Sequence, residues 1–264
     1  MSRPQNFQFY KYQGTGNDFI LIDNRDGRFP HDDTATVKAL CDRRFGIGAD
    51  GLILLESDEE ADFHMVYFNS DGHQSTMCGN GGRCIVAFAN DLGVISGETR
   101  FRAIDGMHHA SISDRTVTLQ MIDVPEVKQK GKCFFLDTGS PHHVQFVKDL
   151  ETMDVKKEGA RLRYGMYGKA GSNINFVKSR SDDAFAMRTY ERGVEDETLS
   201  CGTGVTAVAL AMHHANHTDA NRVAIATQGG DLEVTFLKKN GVYTDVHLIG
   251  KAEFVFKGEV TCPC

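Results

Sequence analysis

A short cysteine–glycine motif occurs twice in this chain of 264 residues, and its spacing divides the chain into two similar halves. Cys78 begins the sequence CGNG and Cys201 begins CGTG, 201 − 78 = 123 residues later. Two more glycine pairs recur at nearly the same distance, 229 − 106 = 123 and 193 − 72 = 121 residues: Gly106 with Gly229, and Gly72 with Gly193. A repeat of this length predicts two pseudo-equivalent domains, with a boundary in the polar segment PEVKQKGK at residues 125–132.

Each half follows the same local order: a strand, a turn, the cysteine–glycine motif, a short helix and further strands. Runs of apolar, β-branched and aromatic residues predict the strands, and helical periodicity or an Ala- and Leu-rich composition predicts the helices. The predicted strands are residues 19–22, 52–55, 63–68, 184–190 and 232–236, and the predicted helices are residues 33–45, 84–92 and 205–215. Many short strands with few helices favour an α+β fold over a doubly wound parallel sheet.

The composition is that of an acidic globular protein, with a net charge of −7 and a pI near 5.9. This charge disfavours nucleic acids and anionic membranes as partners. The longest apolar stretch, around residues 205–212, is shorter than the roughly 18 residues that a membrane span needs. Seven cysteines, an odd number, together with an N-terminus that shows no apolar leader, predict reduced thiols in a cytoplasmic protein.

The position of each motif, where a loop enters a helix, indicates an activated cysteine. Glycines there let several backbone N–H groups point at one anion, and the helix dipole favours the thiolate form of the cysteine. Two such sulfurs on opposite sides of a bound molecule would suit inversion at a tetrahedral carbon, in which one thiolate removes a proton and the other thiol supplies one. The sequence contains no P-loop, dinucleotide-binding or zinc-protease motif, so neither a cofactor nor a metal is expected.

Two plainer interpretations compete with this chemistry. A single cysteine beside glycines is most often a small buried hydrophobe, although two cysteines in register make that interpretation weaker. Cysteines and histidines near the first motif could also bind zinc, but the paired C-x₂-C spacing of structural zinc sites does not occur: Cys78, Cys84, His64 and His73.

Seven segments, in order along the chain, resemble the diaminopimelate epimerase family. They are GTGNDFILID from residue 14, GIGADGL from 46, FNSDG from 68, MCGNGGRC from 77, GSPHHV from 139, SNINFV from 172 and YERGVEDETLSCGTG from 190. The resemblance implies a cofactor-free isomerase that converts LL-2,6-diaminopimelate to the meso isomer in lysine and peptidoglycan precursor biosynthesis, as a cytoplasmic homodimer. It also implies two domains, each a β-barrel-like sheet around a central helix: residues 1–127, with a terminal strand at about 252–264 that returns to them, and residues 128–251.

The resemblance assigns roles position by position. Catalysis falls to the thiols of Cys78 and Cys201, and to two polar residues that would tune them, His142 and Glu191. Substrate binding falls to three asparagines, to a charged pair for the distal end of the substrate and to the loops of the two motifs: Asn17, Asn69 and Asn173; Glu191 and Arg192; Gly79, Asn80, Gly202 and Thr203. Two positions depart from the family, because Gly51 stands where some members have a substrate-binding glutamine and Ser140 stands where asparagine is common.

Three alternatives remain open at the level of the sequence. A proline or hydroxyproline racemase would share the fold and the two thiols, but a compact imino acid would not need the distal anchors. A phenazine-type isomerase would lack the thiol pair. A non-catalytic binding or redox-sensor protein would use the reactive thiols without turning over a substrate.

Overall fold

The computed structural model describes residues 5–30 and 33–262. In this part of the chain the elements are, in order, β1 (Gln5–Gly14), β2 (Asn17–Asp23), α1 (Thr34–Cys41), β3 (Gly51–Glu56), β4 (Phe63–Asn69), α2 (Gly79–Asp91), β5 (Glu98–Ala103), β6 (Gly106–Ser113), β7 (Thr116–Gln120), β8 (Lys128–Lys130), β9 (Cys133–Asp137), β10 (Pro141–Phe146), α3 (Val155–Tyr167), β11 (Asn173–Ser181), β12 (Ala184–Glu191), β13 (Asp196–Thr198), α4 (Gly202–His214), β14 (Arg222–Thr227), β15 (Gly230–Lys239), β16 (Val242–Lys251) and β17 (Glu253–Cys262). No helix in the described residues combines the length and the hydrophobicity that a membrane span requires.

The elements form two compact units. The first ends at Leu119 and resumes at Lys251, and the second spans Gln120–Gly250. The final strand, β17, therefore belongs to the first unit, where it pairs antiparallel with β1. Residues 263 and 264, which the resemblance included in that strand, lie outside the described residues.

The two units pair their strands in the same order. In the first, β1–β2 is antiparallel, β2–β3 parallel, β3–β4 antiparallel, β4–β5 parallel, and β5–β6 and β6–β7 antiparallel. In the second, β9–β10, β10–β11, β11–β12, β12–β14, β14–β15 and β15–β16 follow that alternation step for step. This shared order confirms the predicted two-domain repeat and the α+β fold class.

The helices that follow the motifs, α2 and α4, are the central helices of their units. Each has 13 residues, and their starts differ by 202 − 79 = 123 positions, the spacing of the sequence repeat. Residues 79–89 of α2 are all buried, as are Gly202 and residues 204–212 of α4. A helix whose side chains are mostly small or apolar on every side is stable only when other elements surround it. Accordingly, α2 contacts β1, β2, β3, β6 and β17, and α4 contacts β9, β10, β11, β12, β14 and β15.

A second helix in each unit covers the other face of the same strands. The helix α1 packs Val37 and Leu40 against side chains such as Ile20 of β2, and α3 packs Val155 and Leu162 against strands β11 and β12. The strands between two helices are therefore buried on both faces, which explains why they appear in the sequence as continuous apolar runs.

The predicted helices differ from the observed ones at their ends. The prediction of residues 33–45 for the first helix is wrong at its C-terminus, because α1 ends at Cys41. The Asp42 carboxylate accepts hydrogen bonds from the backbone N–H groups of Arg44 (2.7 Å) and Phe45 (2.8 Å), which turns the chain out of the helix.

The helices α2 and α4 begin several residues before the predicted starts at 84 and 205. Their first turns are rich in glycine, which has a low helix propensity, so the sequence favoured a loop there. Packing explains the glycines, because a Cβ on Gly82 would lie 2.8 Å from the Met77 sulfur. A Cβ on Gly204 would lie 2.6 Å from the Asn175 side-chain oxygen.

Candidate active site

Both motif cysteines occupy the N-cap of a central helix. Cys78 caps α2 and Cys201 caps α4, each with an extended backbone, and neither side chain makes a capping hydrogen bond. The first intrahelical bonds run from Gly82 N–H to Cys78 O (2.7 Å) and from Val205 N–H to Cys201 O (2.8 Å). The N–H groups of the three residues before each of these donors have no acceptor within the helix, so they point towards the N-terminal end, where an anion is favoured.

In the first unit, Cys78 lies beside two asparagine side chains. Its Sγ lies 3.8 Å from Asn17 Oδ1, which also accepts a hydrogen bond from Asn80 Nδ2 at 3.2 Å. The other end of the Asn17 amide, Nδ2, donates to Asp50 Oδ2 at 2.6 Å. A carboxylate only accepts, so this bond fixes the amide with its oxygen towards Cys78. Three of the residues predicted for the site, Cys78, Asn17 and Asn80, thus form one cluster.

A network of charged side chains on the far side of Asn17 holds the carboxylate of Asp50 in place. Arg43 donates to Asp50 (2.7 Å) and to Asp18 (2.5 Å), and Asp18 also pairs with the buried Lys11. Although burial opposes ionisation, the hydrogen bonds from Arg43 and Lys11 lower the pKa of Asp18 to about 2. Asp18 is therefore charged at neutral pH and holds Arg43, whose contact with Asp50 keeps the hydrogen-bond partner of Asn17 in place.

Arg83, in the second turn of α2, is a residue of this region that the sequence analysis did not select. It is fully buried, and its guanidinium donates to Asn80 Oδ1 (3.1 Å), Thr15 Oγ1 (3.1 Å) and the backbone oxygen of Gly79 (3.4 Å). Burial lowers its pKa, and its Nε has no hydrogen-bond partner among the described residues. The bond to Asn80 turns the Asn80 amide so that its nitrogen faces Asn17. The MCGNGGRC segment contains this arginine, but nothing in its spacing shows that the side chain turns back under the motif.

In the second unit, Cys201 is linked to His142 through a threonine. The Sγ of Cys201 lies 3.5 Å from Thr203 Oγ1, and Thr203 Oγ1 lies 2.9 Å from His142 Nε2. His142 is fully buried on β10, and burial, reinforced by the charge of Arg192, lowers the pKa of its imidazole to about 3. The ring is therefore neutral at pH 7. It contacts Thr203 directly, and the link to the sulfur passes through the threonine hydroxyl.

The residues predicted for the distal end of a substrate lie at the ends of β11 and β12. Asn173 begins β11, and its side-chain oxygen accepts the backbone N–H of Arg192 at 2.8 Å. Arg192 is exposed and donates through one guanidinium nitrogen to the backbone oxygen of Ala170 at 2.9 Å. Glu191 is half-buried and accepts a hydrogen bond from Thr198 at 3.0 Å. These three side chains offer an amide, a carboxylate and a guanidinium within one short stretch of structure.

Asn69 and Gly51 lie at the corresponding end of the first unit. Asn69 ends β4, is exposed, and is the register partner of Gly51 at the start of β3. A Cβ on Gly51 would lie 2.6 Å from the backbone oxygen of Phe68 and from the ring of Tyr67. This backbone therefore has no room for a longer side chain at residue 51, where some members of the resembled family have glutamine.

The remaining cysteines with described side chains differ from the motif pair. Cys41, Cys84 and Cys133 are buried. Burial raises the pKa of Cys41 and of Cys84 to about 12, which holds both in the unreactive thiol form. Within residues 5–30 and 33–262, His, Cys, Asp and Glu side chains form no cluster of three or more that could hold a metal ion.

Comparison with known proteins gives relatives along nearly the whole chain. A family model described as diaminopimelate epimerase matches residues 9–124 and 134–255. A diaminopimelate epimerase from Flavobacterium psychrophilum is 60% identical over 252 residues, which cover 95% of this chain and 98% of that protein. The diaminopimelate epimerase of Chlorobaculum tepidum is 42% identical over 94% of this chain and 99% of its own length.

Solved structures of low sequence identity share the fold alone. A Bacillus anthracis phenazine biosynthesis protein of the PhzF family has a TM-score of 0.77 at 13% identity, and covers 97% of this chain and 99% of its own. A hydroxyproline epimerase from Agrobacterium vitis, solved with trans-4-hydroxy-L-proline bound, has a TM-score of 0.71 at 15% identity over 97% and 92% of the two chains. The identities of 60% and 42% to diaminopimelate epimerases are much higher than the 13% and 15% to these two structures. They favour a diaminopimelate epimerase over a proline racemase or a phenazine-type isomerase.

Proposed function

Because the chain belongs to the diaminopimelate epimerase family, we propose that it converts LL-2,6-diaminopimelate to the meso isomer without a cofactor, using Cys78 and Cys201 as acid and base. The observation that carries the proposal is the equivalent placement of the two cysteines. Each caps the central helix of its own unit, and each sulfur lies within hydrogen-bonding distance of a polar side chain.

In the proposed reaction, one sulfur acts as a thiolate and removes the α-proton of the substrate, becoming a thiol. The other thiol donates its proton to the opposite face of the same carbon and becomes a thiolate, so the centre is inverted and protons balance. The α-proton of an amino acid is very weakly acidic, and one well-placed acid or base contributes about 10²–10⁴-fold. Further stabilisation comes from the helix N-termini, whose backbone N–H groups at Gly79, Asn80, Gly202 and Thr203 bind the carboxylate as negative charge develops on it.

The distal amino-acid group of the substrate is the proposed specificity determinant. Arg192 offers a planar guanidinium that suits a carboxylate, and Glu191 offers a carboxylate for the distal ammonium. The amides of Asn17, Asn69 and Asn173 complete the anchoring. Energy from these contacts is used to hold the α-carbon in the reactive position, so substrates without a second amino-acid group should react poorly.

Solvent-deuterium exchange tests the proposal. Incubation of LL-diaminopimelate with the protein in D₂O should introduce deuterium at the α-carbon and produce the meso isomer. Cys78→Ala and Cys201→Ala should each abolish epimerisation. The matched controls are Cys41→Ala in the first unit and Cys133→Ala in the second, which delete buried thiols away from the motifs and should retain activity. Retention of near wild-type epimerisation by either motif variant would overturn the two-cysteine mechanism.

Proline in a parallel assay distinguishes the racemase alternative. The protein should epimerise diaminopimelate and leave proline and hydroxyproline unchanged, since neither has a distal group for Arg192. Absence of exchange into any of the three substrates would instead support a binding or redox-sensor protein.

A cytoplasmic homodimer is the proposed form of the enzyme. Reduced motif thiols need a reducing compartment, which supports the cytoplasm. For the dimer, the supporting feature is β17, where the consecutive residues Phe254, Val255 and Phe256 are all exposed. A β-bulge at Val255 lies between Phe256, which pairs with Lys11, and Phe254, which pairs with Tyr12, so the three side chains form an exposed apolar stretch along this strand.

Sedimentation of two variants tests the dimer. Val255→Lys should shift the protein from dimer to monomer. Leu237→Lys, which changes an exposed leucine of the second unit in the same way, should remain dimeric. A Val255→Lys variant that sediments as a dimer would contradict this choice of surface.

A further inference from the structure

Asn175, on β11, contacts the ring of His142 from the side opposite Thr203. It is fully buried, and its Nδ2 donates to His142 Nδ1 at 3.1 Å and to the backbone oxygen of His143 at 2.9 Å. Its Oδ1 accepts the hydroxyl of Thr189 at 3.0 Å. The backbone oxygen of His143 can only accept, so the side of the amide that faces it must be the NH₂ group. The orientation of the Asn175 amide is therefore fixed by its surroundings.

This orientation decides the tautomer of His142. Nδ1 faces an N–H donor and must accept, so in the neutral imidazole the proton is on Nε2. Nε2 then donates to Thr203 Oγ1, 2.9 Å away. With its oxygen occupied as an acceptor, the Thr203 hydroxyl has its own proton to donate to Cys201 Sγ, 3.5 Å away. Every donor in the series therefore points towards the sulfur, and a hydrogen bond donated to sulfur favours the thiolate.

The close packing of α4 supports this arrangement independently. Gly204 lies where a Cβ would be 2.6 Å from Asn175 Oδ1 and 3.4 Å from Cys201 Sγ. The absence of a side chain at this position lets the first turn of α4 lie directly against Asn175, so that Cys201, Thr203 and Asn175 belong to one packed cluster.

We propose that Asn175 is a positioning residue that fixes the proton of His142 on Nε2 and thereby favours the thiolate form of Cys201 through the hydroxyl of Thr203. The proposal rests on the assignment of Cys201 as one of the two acid–base thiols. The positive charge of Arg192 helps to lower the pKa of the His142 ring. It therefore disfavours the imidazolium, and the ring carries a single proton.

The ¹⁵N spectrum of the histidine rings tests the tautomer directly in the unmodified protein. The His142 signals, identified by their loss in His142→Gln, should show a protonated Nε2 and an unprotonated Nδ1 at pH 7. A protonated Nδ1 with a bare Nε2 would overturn the proposal. Because this measurement needs neither activity nor an Asn175 variant, it gives an answer even if the proposed function fails.

Alkylation by iodoacetamide across a pH series tests the second step, with the peptides of Cys78 and Cys201 measured separately by mass spectrometry. Thr203→Val, which removes the hydroxyl, and Asn175→Leu, which removes the amide, should raise the Cys201 midpoint by about one pH unit, the effect of one hydrogen bond to a charged group. The Cys78 midpoint is the internal control and should not move. An unchanged Cys201 midpoint in Thr203→Val or in Asn175→Leu would refute this role of Asn175.

Discussion

Replacement of Gly204 by alanine tests the packing that holds the second motif together. The added Cβ would lie 2.6 Å from Asn175 Oδ1, 3.3 Å from Cys201 Cβ and 3.4 Å from Cys201 Sγ. Contacts between carbon and oxygen at 2.6 Å do not occur without movement, so either the helix or the asparagine must shift.

The expected magnitude combines two opposing effects. Alanine in place of glycine stabilises a helix by up to about 1 kcal/mol. Overpacking of a buried site costs about 1–3 kcal/mol, and loosening a hydrogen bond of Asn175 costs about 1 kcal/mol more. The free energy of unfolding should therefore fall by about 1–3 kcal/mol. Because Cys201 and Asn175 belong to the displaced cluster, kcat/KM should fall at least about tenfold, which corresponds to 1.4 kcal/mol.

Gly165 provides the matched control, because it is also an interior helix glycine of the second unit. It is exposed on α3, and a Cβ at this position would meet nothing within 4 Å. Gly165→Ala should therefore raise the free energy of unfolding by about 0.5–1 kcal/mol and leave activity unchanged. Urea denaturation followed by circular dichroism measures both variants. If Gly204→Ala were as stable as Gly165→Ala, the close approach of α4 to Asn175 would be refuted.

Three further changes have defined expected outcomes. Arg192→Lys keeps the charge but loses the planar fork, so kcat/KM for diaminopimelate should fall by about 10²-fold while alkylation of both motif cysteines continues at the wild-type rate; equal kcat/KM values would remove Arg192 from the distal site. The pKa of His142 is lowered to about 3 in the folded protein. Below pH 6.5, the ordinary pKa of histidine, the unfolded chain therefore binds a proton that the folded chain does not. The free energy of unfolding should decline as the pH falls from 6.5 towards 3. Urea midpoints between pH 7 and pH 4 should decline less in His142→Gln than in the wild type, and parallel profiles would contradict the buried neutral ring. The lowered pKa of Asp18, about 2, acts in the same direction: the stability it gives is complete above pH 3.8 and is lost as the pH falls towards 2, and in Asp18→Asn this acid-dependent part, about 2 kcal/mol, should disappear from the same measurement.

The features that follow from local sequence were predicted well. The 123-residue repeat, the entry of each cysteine motif into a helix and most strands depend on glycine placement and on runs of apolar residues, and both signals are present in a short window. The end of α1 was not predicted, because it depends on the Asp42 side chain accepting two backbone N–H groups in place of a further helical turn. A charged residue at this position is equally compatible with a helix that continues.

The supporting residues of the site could not be identified from sequence because they depend on strand register. Asn175 reaches His142 only because β10 and β11 run parallel with His142 beside Asn173 and His143 beside Ile174. The two residues are 33 positions apart, a distance without any periodic signal. Arg83 likewise resembles an ordinary surface cation until the structure shows it buried beneath the first motif. Sequence resemblance identified the groups proposed to meet the substrate, and the structure adds those that orient them.

The pairing of β17 with β1 determines the order in which the chain can complete its folding. Register partners run from Gln5 with Cys262 to Gln13 with Glu253, so the first strand of the first unit has a neighbour that is synthesised at least 253 − 13 = 240 residues later. The second unit is one continuous segment and can fold as soon as it leaves the ribosome. The first unit must keep β1 partly unpaired until then, with Phe7 and Phe9 near an open edge. The pairing of β1 should thus be completed late in folding, and chains that terminate before β17 should aggregate through β1 although every residue proposed for catalysis is present.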